Sequence, residues 1–348
     1  MKKKAKYLRI KEELALEIGK RKMGAGAKFF SENEISRMFS VSTMTARHAL
    51  NEMLKDKLVV RRHASGTYVA HPYLPDKEVS TLLIIGRSDV LNNLFNPFYS
   101  EIIAGIQGKA SNCGYKLIFH NAGNRGAWKI PENISRKECD GIVAVGSLPK
   151  EYISNIWRTE IPIVLLDNQY AGLPSVNMDN LRGGALATNH LIRRGCRKIL
   201  HLGHGDPDVY SAELRRKGHE KALAAAGVKS DSSLLFNGKY WYEYTERHFR
   251  RHIEEKGIFF DGIFAGNDSM AIAAIKCLQK KGVRVPEDIP VVGFDNIYAA
   301  AMINPGLTSI GFDKEECGAT AFDLVTTPSK AGNMEILMKT NLIKRESA

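Results

Sequence analysis

Apolar positions follow two different rhythms along this chain. Up to residue 70 they recur at helical spacing and then as two short strand-like runs; from residue 79 they gather into solid runs separated by amphipathic stretches. Tyr7, Ile10, Leu14 and Ile18 are spaced three, four and four, which predicts a first helix stopping near Gly19. Ser31-Glu32-Asn33-Glu34 has the form of a capping box, in which Ser31 and Glu34 satisfy each other's backbone donors. It opens a second helix with Ile35, Met38 and Phe39 on its buried side. After a turn at Ser40-Val41, Ser42 is placed to cap a third helix, where Ala46, Ala49, Leu50, Met53 and Leu54 form one apolar stripe. Met44, Thr45, His48, Asn51 and Lys55 point off that stripe, and Arg47 lies on its flank. Two helices joined by a tight turn, the second presenting hydrogen-bonding side chains outward, predict a helix-turn-helix. Leu58-Val59-Val60 and Thr67-Tyr68-Val69 then predict two strands around Arg61-Arg62-His63-Ala64-Ser65-Gly66. Gly66 can adopt the positive φ of a tight hairpin, and the basic tip suits phosphates or a minor groove.

The later runs are Leu82–Ile85, Leu117–Phe119, Ile142–Val145, Ile163–Leu166, Ile199–Leu202, Ile263–Ala265 and Val291–Val292. Runs apolar at every position suit parallel strands covered on both faces. Helical patterns lie between them, such as Tyr99, Ile102, Ile103, Ile106 and Ala110. The expected fold class is therefore α/β, with doubly wound parallel sheets whose crevices lie beyond the strands' carboxyl ends. So long a series exceeds one sheet and predicts two similar lobes. The expected organisation is a DNA-binding domain over 1–70, a linker over 71–78 around Pro72 and Pro75, and a bilobal domain over 79–348.

Composition sharpens this division. Residues 1–75 carry 16 Lys and Arg against 7 Asp and Glu, a net of +9 within a whole-chain charge of +12. A basic head on a nearly neutral body is the electrostatic footprint of nucleic-acid binding, although a merely solvated basic surface would look the same by count. No apolar run reaches the length of a membrane span, and mean hydropathy is −0.24. Glu12 and Glu13 interrupt what would be the apolar core of a signal peptide after the basic start. The five cysteines are scattered, with no C-x-x-C pair, which fits a reducing cytoplasm.

The body lacks a phosphate-cradling G-x-x-x-x-G-K-[ST], a G-x-G-x-x-G after a strand, and a G-x-S-x-G nucleophile turn. His201 and His204 have no carboxylate companion and read as exposed loop histidines; no metal or cofactor is expected. Strand ends instead carry groups suited to a small polar ligand: Asn96, Phe98 and Tyr99, then Asp167, Arg215 opening a helix, Trp241 among tyrosines, Asn267 and Asp295. Aromatic faces cover the CH face of a sugar, while Arg, Asp and Asn bond its hydroxyls. Asp268 reads as a helix cap and Tyr244 as a core or surface aromatic.

The head resembles the GntR family through Ser31-Glu32-Asn33-Glu34-Ile35, Val41 to Leu50, and Ser65-Gly66-Thr67-Tyr68-Val69. Phe30, Thr43 and Ala64 depart from that family's proline, arginine and glycine. The resemblance implies a winged helix that meets DNA through Ser31, Ser42, Thr43, Met44, Thr45, Arg47 and His48. Its wing would add Arg61, Arg62, His63 and Gly66. Residues 79–348 resemble the LacI/GalR regulators and the periplasmic sugar-binding fold they share. That likeness runs through Asn96-Pro97-Phe98-Tyr99, Val176 to Asn180, Leu214 to Gly218, Asp261 to Asp268, Val292 to Asn296 and Leu307 to Ile310. It implies that Arg215, Asn267 and Asp295 hold effector hydroxyls, with Phe98 and Tyr99 stacking from the other lobe. Asp167 and one of Tyr240 and Trp241 complete the set, the choice between the last two being open.

A GntR-type head on a LacI-type body is the arrangement of arabinose-repressor-like regulators. The expectation is a cytoplasmic transcriptional repressor, not an enzyme. It would act as a homodimer on double-stranded operator DNA and answer to a sugar or sugar derivative. A solute-binding protein, or a sugar-acting enzyme with an accessory head, are the alternatives.

Overall fold

A computed structural model describes residues 6–21, 23, 27–56, 58–62, 66–69, 80–91, 97–123, 128–131, 134, 138–206, 209–327 and 334–348. The expected linker at 71–78, together with His63 and Asn96, lies outside the described residues, as does the side chain of Arg62.

The head contains α1 (Lys6–Lys20), α2 (Glu32–Met38), α3 (Thr43–Lys55), β1 (Val59–Arg62) and β2 (Gly66–Val69). The capping box forms as read: Ser31 N donates to Glu34 Oε2 at 2.7 Å, and Glu34 N donates to Ser31 Oγ. Ser42 caps α3 by accepting from Thr45 N. Ile10, Leu14, Ile35, Ala46, Ala49, Leu50 and Met53 close into one small core with Val59 and Val69. Met38 does not join it; at 42% exposure it lies on the surface, because the short α2 buries only Ile35. The β1–β2 hairpin is antiparallel with Arg62 opposite Gly66, whose φ of 114° is available to glycine without strain. An unanticipated bridge from Lys28 to Tyr68 gives β2 a second neighbour.

The first lobe is built from β3 (Ser80–Gly86), α4 (Ser88–Leu91), α5 (Pro97–Cys113), β4 (Tyr115–Asn121), β5 (Gly141–Val145), α6 (Lys150–Trp157), β6 (Ile163–Leu166) and β7 (Ser175–Met178). The chain then enters a second lobe. This holds α7 (Asn180–Arg193), β8 (Ile199–His204), α8 (Tyr210–Ala225), β9 (Leu235–Gly238), α9 (Tyr242–Lys256), β10 (Gly262–Ala265), α10 (Asp268–Lys280), β11 (Val291–Phe294) and β12 (Thr308–Gly311). It returns to the first lobe for α11 (Lys314–Thr326) and β13 (Glu335–Met338), and finishes in the second as β14 (Asn341–Ile343).

The sheets repeat one order, β13-β7-β6-β5-β3-β4 and β14-β12-β11-β10-β8-β9. Within these two sheets the described strand pairs are parallel except β14, which runs antiparallel to β12. The wholly apolar runs became buried central strands, with the exception of Leu117–Phe119. That run belongs to the edge strand β4, where Ile118 and Phe119 remain 43% and 47% exposed.

Three crossings tie the lobes, and short bonds brace them. Thr340 Oγ1 donates to the Asp179 carbonyl at 3.2 Å. The buried Lys314 donates to the Asn296 carbonyl at 3.0 Å and to Glu101 at 3.2 Å.

Candidate functional site

Every strand that points into the space between the lobes ends there, so the loops after β3, β5, β6, β8, β9, β10 and β11 face one another across a cleft of about 1010 Å³. From the first lobe, Phe98, Tyr99 and Asp167 reach it; from the second, Arg215, Trp241, Asn267 and Asp295. The sequence-predicted effector residues within the described chain are thus brought together.

Arg215 is the centre. It lies in the second turn of α8, not at the helix start as expected, and is 3% exposed. Its Nε donates to Asn180 Oδ1 at 2.8 Å, and Nη1 donates to the Gly266 carbonyl. Nη2 lies 3.1 Å from Asp295 Oδ1. The guanidinium is stacked on Phe294 at 3.7 Å and faces Tyr240 at 5.8 Å. Burial opposes its charge, but Asp295, Tyr240 and Asp167 together hold it above the ordinary arginine range. Burial pushes the Asp295 carboxyl up to about 6 against the pull of Arg215. Asp167 is also raised by burial, with Arg215 and the Tyr99 hydroxyl opposing.

Asp167 and Asp295 occupy corresponding places, after β6 and β11, and both have left-handed backbone, with φ of 54° and 102°. Such conformations are strained for a non-glycine residue and persist where surrounding structure imposes them. Tyr99 Oη donates to Asp167 Oδ2 at 2.7 Å. Asp167 Oδ1, Asp295 Oδ1 and Tyr240 Oη are buried without a well-directed hydrogen bond among the described residues. Buried polar atoms of this kind are costly; the two carboxylate oxygens call for donors, and the Tyr240 hydroxyl for a partner of either kind, from a ligand or solvent.

Other expected residues are placed differently. Phe98 is 7% exposed and packs edge-on against Tyr99 and Phe312, so most of it is core. Trp241 stands at the rim, 51% exposed, beside Lys239, whereas Tyr240 lies deep under Arg215. Tyr244 also reaches the rim, stacked on His248. Asn267 is itself the cap of α10, accepting from Met270 N at 2.9 Å, with its amide donating to the Tyr240 carbonyl.

Asp268 is therefore not the cap. It is fully buried, accepting from Ser309 Oγ at 2.6 Å and from Ile297 N at 2.8 Å, and so fixes the loop that carries Asp295. Burial, reinforced by Asp295, lifts its carboxyl to about 8 from the ordinary 3.8. The folded protein keeps this proton until about pH 8, whereas the unfolded chain releases it near 3.8. Its contribution to stability is thus complete at acid pH and is lost as pH rises through that window. Asp268→Asn should flatten the fall in thermal midpoint between pH 5 and 8; parallel curves for the two proteins would contradict the assignment.

His201 is a buried member of β8 and not an exposed loop residue, stacked on His219 at 5.3 Å and Phe264 at 4.9 Å. Burial pushes the two imidazoles down to about 4 and about 3, so both are neutral packing groups at pH 7. His204 does line the cleft, its ring 4.8 Å from Tyr240. Among the described residues no group of three His, Cys, Asp or Glu could hold a metal ion. Asn180 and Phe294, the supports of Arg215, were not expected from sequence, although Phe294 directly precedes Asp295 and Asn180 closes the stretch Val176 to Asn180 that carries the family likeness.

On the head, Thr43, Met44, Arg47 and His48 stand exposed on one side of α3, and Arg61 is exposed on the wing. Ser31 and Ser42 are occupied as caps, and Thr45 shares a hydroxyl contact with Ser42 at 2.9 Å. A basic helix-turn-helix with a wing, joined to two lobes that enclose a polar cleft, defines a ligand-responsive DNA-binding regulator.

Known proteins agree with this class. Residues 6–69 match the gntR family of bacterial regulatory proteins, and residues 188–348 match the periplasmic binding protein-like domain. The chain is similar to the HTH-type transcriptional repressor PurR of Photobacterium profundum, 30% identical over 313 residues, covering 87% of this chain and 92% of that protein. It is similar also to the arabinose metabolism transcriptional repressor of Geobacillus stearothermophilus, 28% identical over 362 residues, covering 98% and 97%. Its fold matches that of the transcriptional regulator CelR in a cellobiose complex, with TM-score 0.68 and 24% identity across 98% of this chain and 99% of that one. The chain belongs to the LacI/GalR-type transcriptional repressors, with a gntR-family winged helix as its head. No described helix is long and apolar enough to cross a membrane.

Proposed function

We propose that this protein is a cytoplasmic, homodimeric repressor without enzymatic activity, whose effector is an uncharged sugar or polyol bound between the lobes. Convergence of Asp167 and Asp295 from opposite lobes on one buried arginine carries this reading. Arg215 is already committed to Asn180, Gly266 and Asp295, so the floor of the cleft offers mainly acceptors, which suit hydroxyl donors better than a phosphate. Asn96, Phe98, Tyr99, Trp241 and Asn267 would complete the contacts, with the Trp241 face over a sugar ring. The likeness to a repressor of arabinose metabolism supports a sugar.

The head would dock with α3 in the major groove through Thr43, Met44, Thr45, Arg47 and His48, and with the wing through Arg61, Arg62, His63 and Gly66. Ser31 and Ser42 would hold the helix starts against the backbone. Two heads would take half-sites about 10–10.5 bp apart or a multiple. The effector would act by binding the closed arrangement of lobes more tightly than the open one. The domain limits at residues 70 and 79 are part of this proposal.

A thermal-shift panel of pentoses, hexoses and their phosphates tests it. Neutral sugars should raise the midpoint in proportion to ln(1 + [L]/Kd). Stronger stabilisation by a phosphate ester than by its parent sugar would sink the uncharged-effector reading.

A further inference from the structure

Two arginines of the DNA-facing surface come from distant parts of the head, Arg47 from α3 and Arg61 from the wing. One carboxylate holds both: Glu32 Oε2 accepts from Arg47 Nε at 2.9 Å, and Glu32 Oε1 accepts from Arg61 Nη2 at 2.7 Å. The Glu32 side chain is 23% exposed, beneath two guanidinium groups that are 54% and 52% exposed. The bonds to Glu32 use one nitrogen of each arginine, so the other N–H groups remain on the outer surface. Exposed ion pairs contribute little to folding, which makes head stability a weak reason for this arrangement. Its effect on geometry is larger. Two long cationic side chains that would otherwise repel and sample many rotamers are held side by side, and α3 is tied to the wing.

We propose that Glu32 is a positioning residue for operator recognition, which presents Arg47 and Arg61 as one preorganised pair bridging recognition helix and wing. Counting charge alone gives the opposite expectation. Glu32→Gln makes the head more positive and should then tighten binding to every DNA through the phosphate term. The sign of the effect therefore separates the two accounts.

The probe is the duplex that the wild-type full-length protein selects most strongly from random-sequence DNA, with an unselected duplex as reference. E32Q should bind the selected duplex about tenfold more weakly, the scale of one ordered arginine, while binding the unselected duplex as well as wild type or better. In the wild-type background the losses caused by Arg47→Ala and Arg61→Ala should be non-additive; in the E32Q background they should add. Head packing would not impose that change in coupling. Equal or tighter binding of the selected duplex by E32Q, or additive losses in the wild-type background, would overturn the proposal.

Discussion

Replacing Arg215 with alanine should destabilise the body by about 3–5 kcal/mol, the usual consequence of leaving a buried charge without its partner. The guanidinium is 3% exposed and faces Asp295 with Asp167 nearby, so its removal strands two buried carboxylates. It also strips the stacked cover from Phe294 and frees the Asn180 amide and the Gly266 carbonyl. Asp295→Asn is the milder companion: it keeps the shape and removes one carboxylate from a group that burial already pushes toward neutrality. That variant should fold and bind operator normally. It should lose roughly 1.5–3 kcal/mol of effector binding, the scale of a hydrogen bond to a charged group, or about ten- to a hundredfold in affinity. Urea unfolding of R215A and calorimetry of D295N with the sugar that gives the largest thermal shift check the pair. An unchanged midpoint for R215A would mean that Arg215 is not balancing the carboxylates. Undiminished sugar affinity in D295N would remove Asp295 from the ligand set.

These two residues show what can be read from the chain and what cannot. The place of Asp295 at a strand end follows from the apolar run at Val291, because such a run predicts a buried parallel strand and its end predicts the crevice, whereas Arg215 is marked by the motif Leu214–Gly218 and stands a turn further into α8 than expected. Their mutual contact does not follow, since it depends on how α8 and β11 pack. The left-handed backbone of Asp167 and Asp295 also leaves no mark, as aspartate is compatible with many turns. Strands β7 and β12 escape the apolar-run criterion because Ser175, Asn177, Thr308 and Ser309 are buried polar residues: Asn177 donates to Glu335 and to Ser175 Oγ, Ser309 donates to Asp268, and Thr308 Oγ1 donates to the Arg345 carbonyl. Two similar lobes follow from the length of the series, but their common strand order does not: three crossings interrupt it, so no fixed sequence period survives. In the head, by contrast, the signals are local. A capping box at Ser31, an N-cap at Ser42, a helical apolar stripe and a glycine hairpin act over a few residues, and each formed where expected. Met38 failed because periodicity marks a face without saying how far the core extends.

Opposite outcomes are expected from one substitution, glycine to alanine, at two helical positions. In each lobe two helices meet through glycines that approach the facing backbone: Gly105 of α5 meets Glu315 and Gly318 of α11 meets Ile102, while Gly184 of α7 meets Arg215 and Gly218 of α8 meets Leu181. A Cβ on Gly218 would lie 2.1 Å from the Leu181 carbonyl oxygen and 2.9 Å from Ala185 N. Both obstacles are backbone, so no side chain can turn aside, and α8 must move away from α7. The shift would carry Arg215, one turn earlier on α8, off Asn180 at the start of α7. Overpacking typically costs about 1–3 kcal/mol and more where backbone must yield, against roughly 1 kcal/mol gained from helix propensity. Gly218→Ala should therefore lose at least about 2 kcal/mol of stability and weaken sugar binding with it. Gly108 lies on the exposed side of α5, where an added methyl would meet nothing within 4 Å. Gly108→Ala should raise stability by about 0.5–1 kcal/mol through the lower entropy of the unfolded chain, with sugar affinity unchanged. Denaturant unfolding and sugar titration of both variants decide the matter. If Gly218→Ala were as stable as Gly108→Ala, the helices would not be in backbone contact, and the close approach that places Arg215 over the cleft would have to be abandoned.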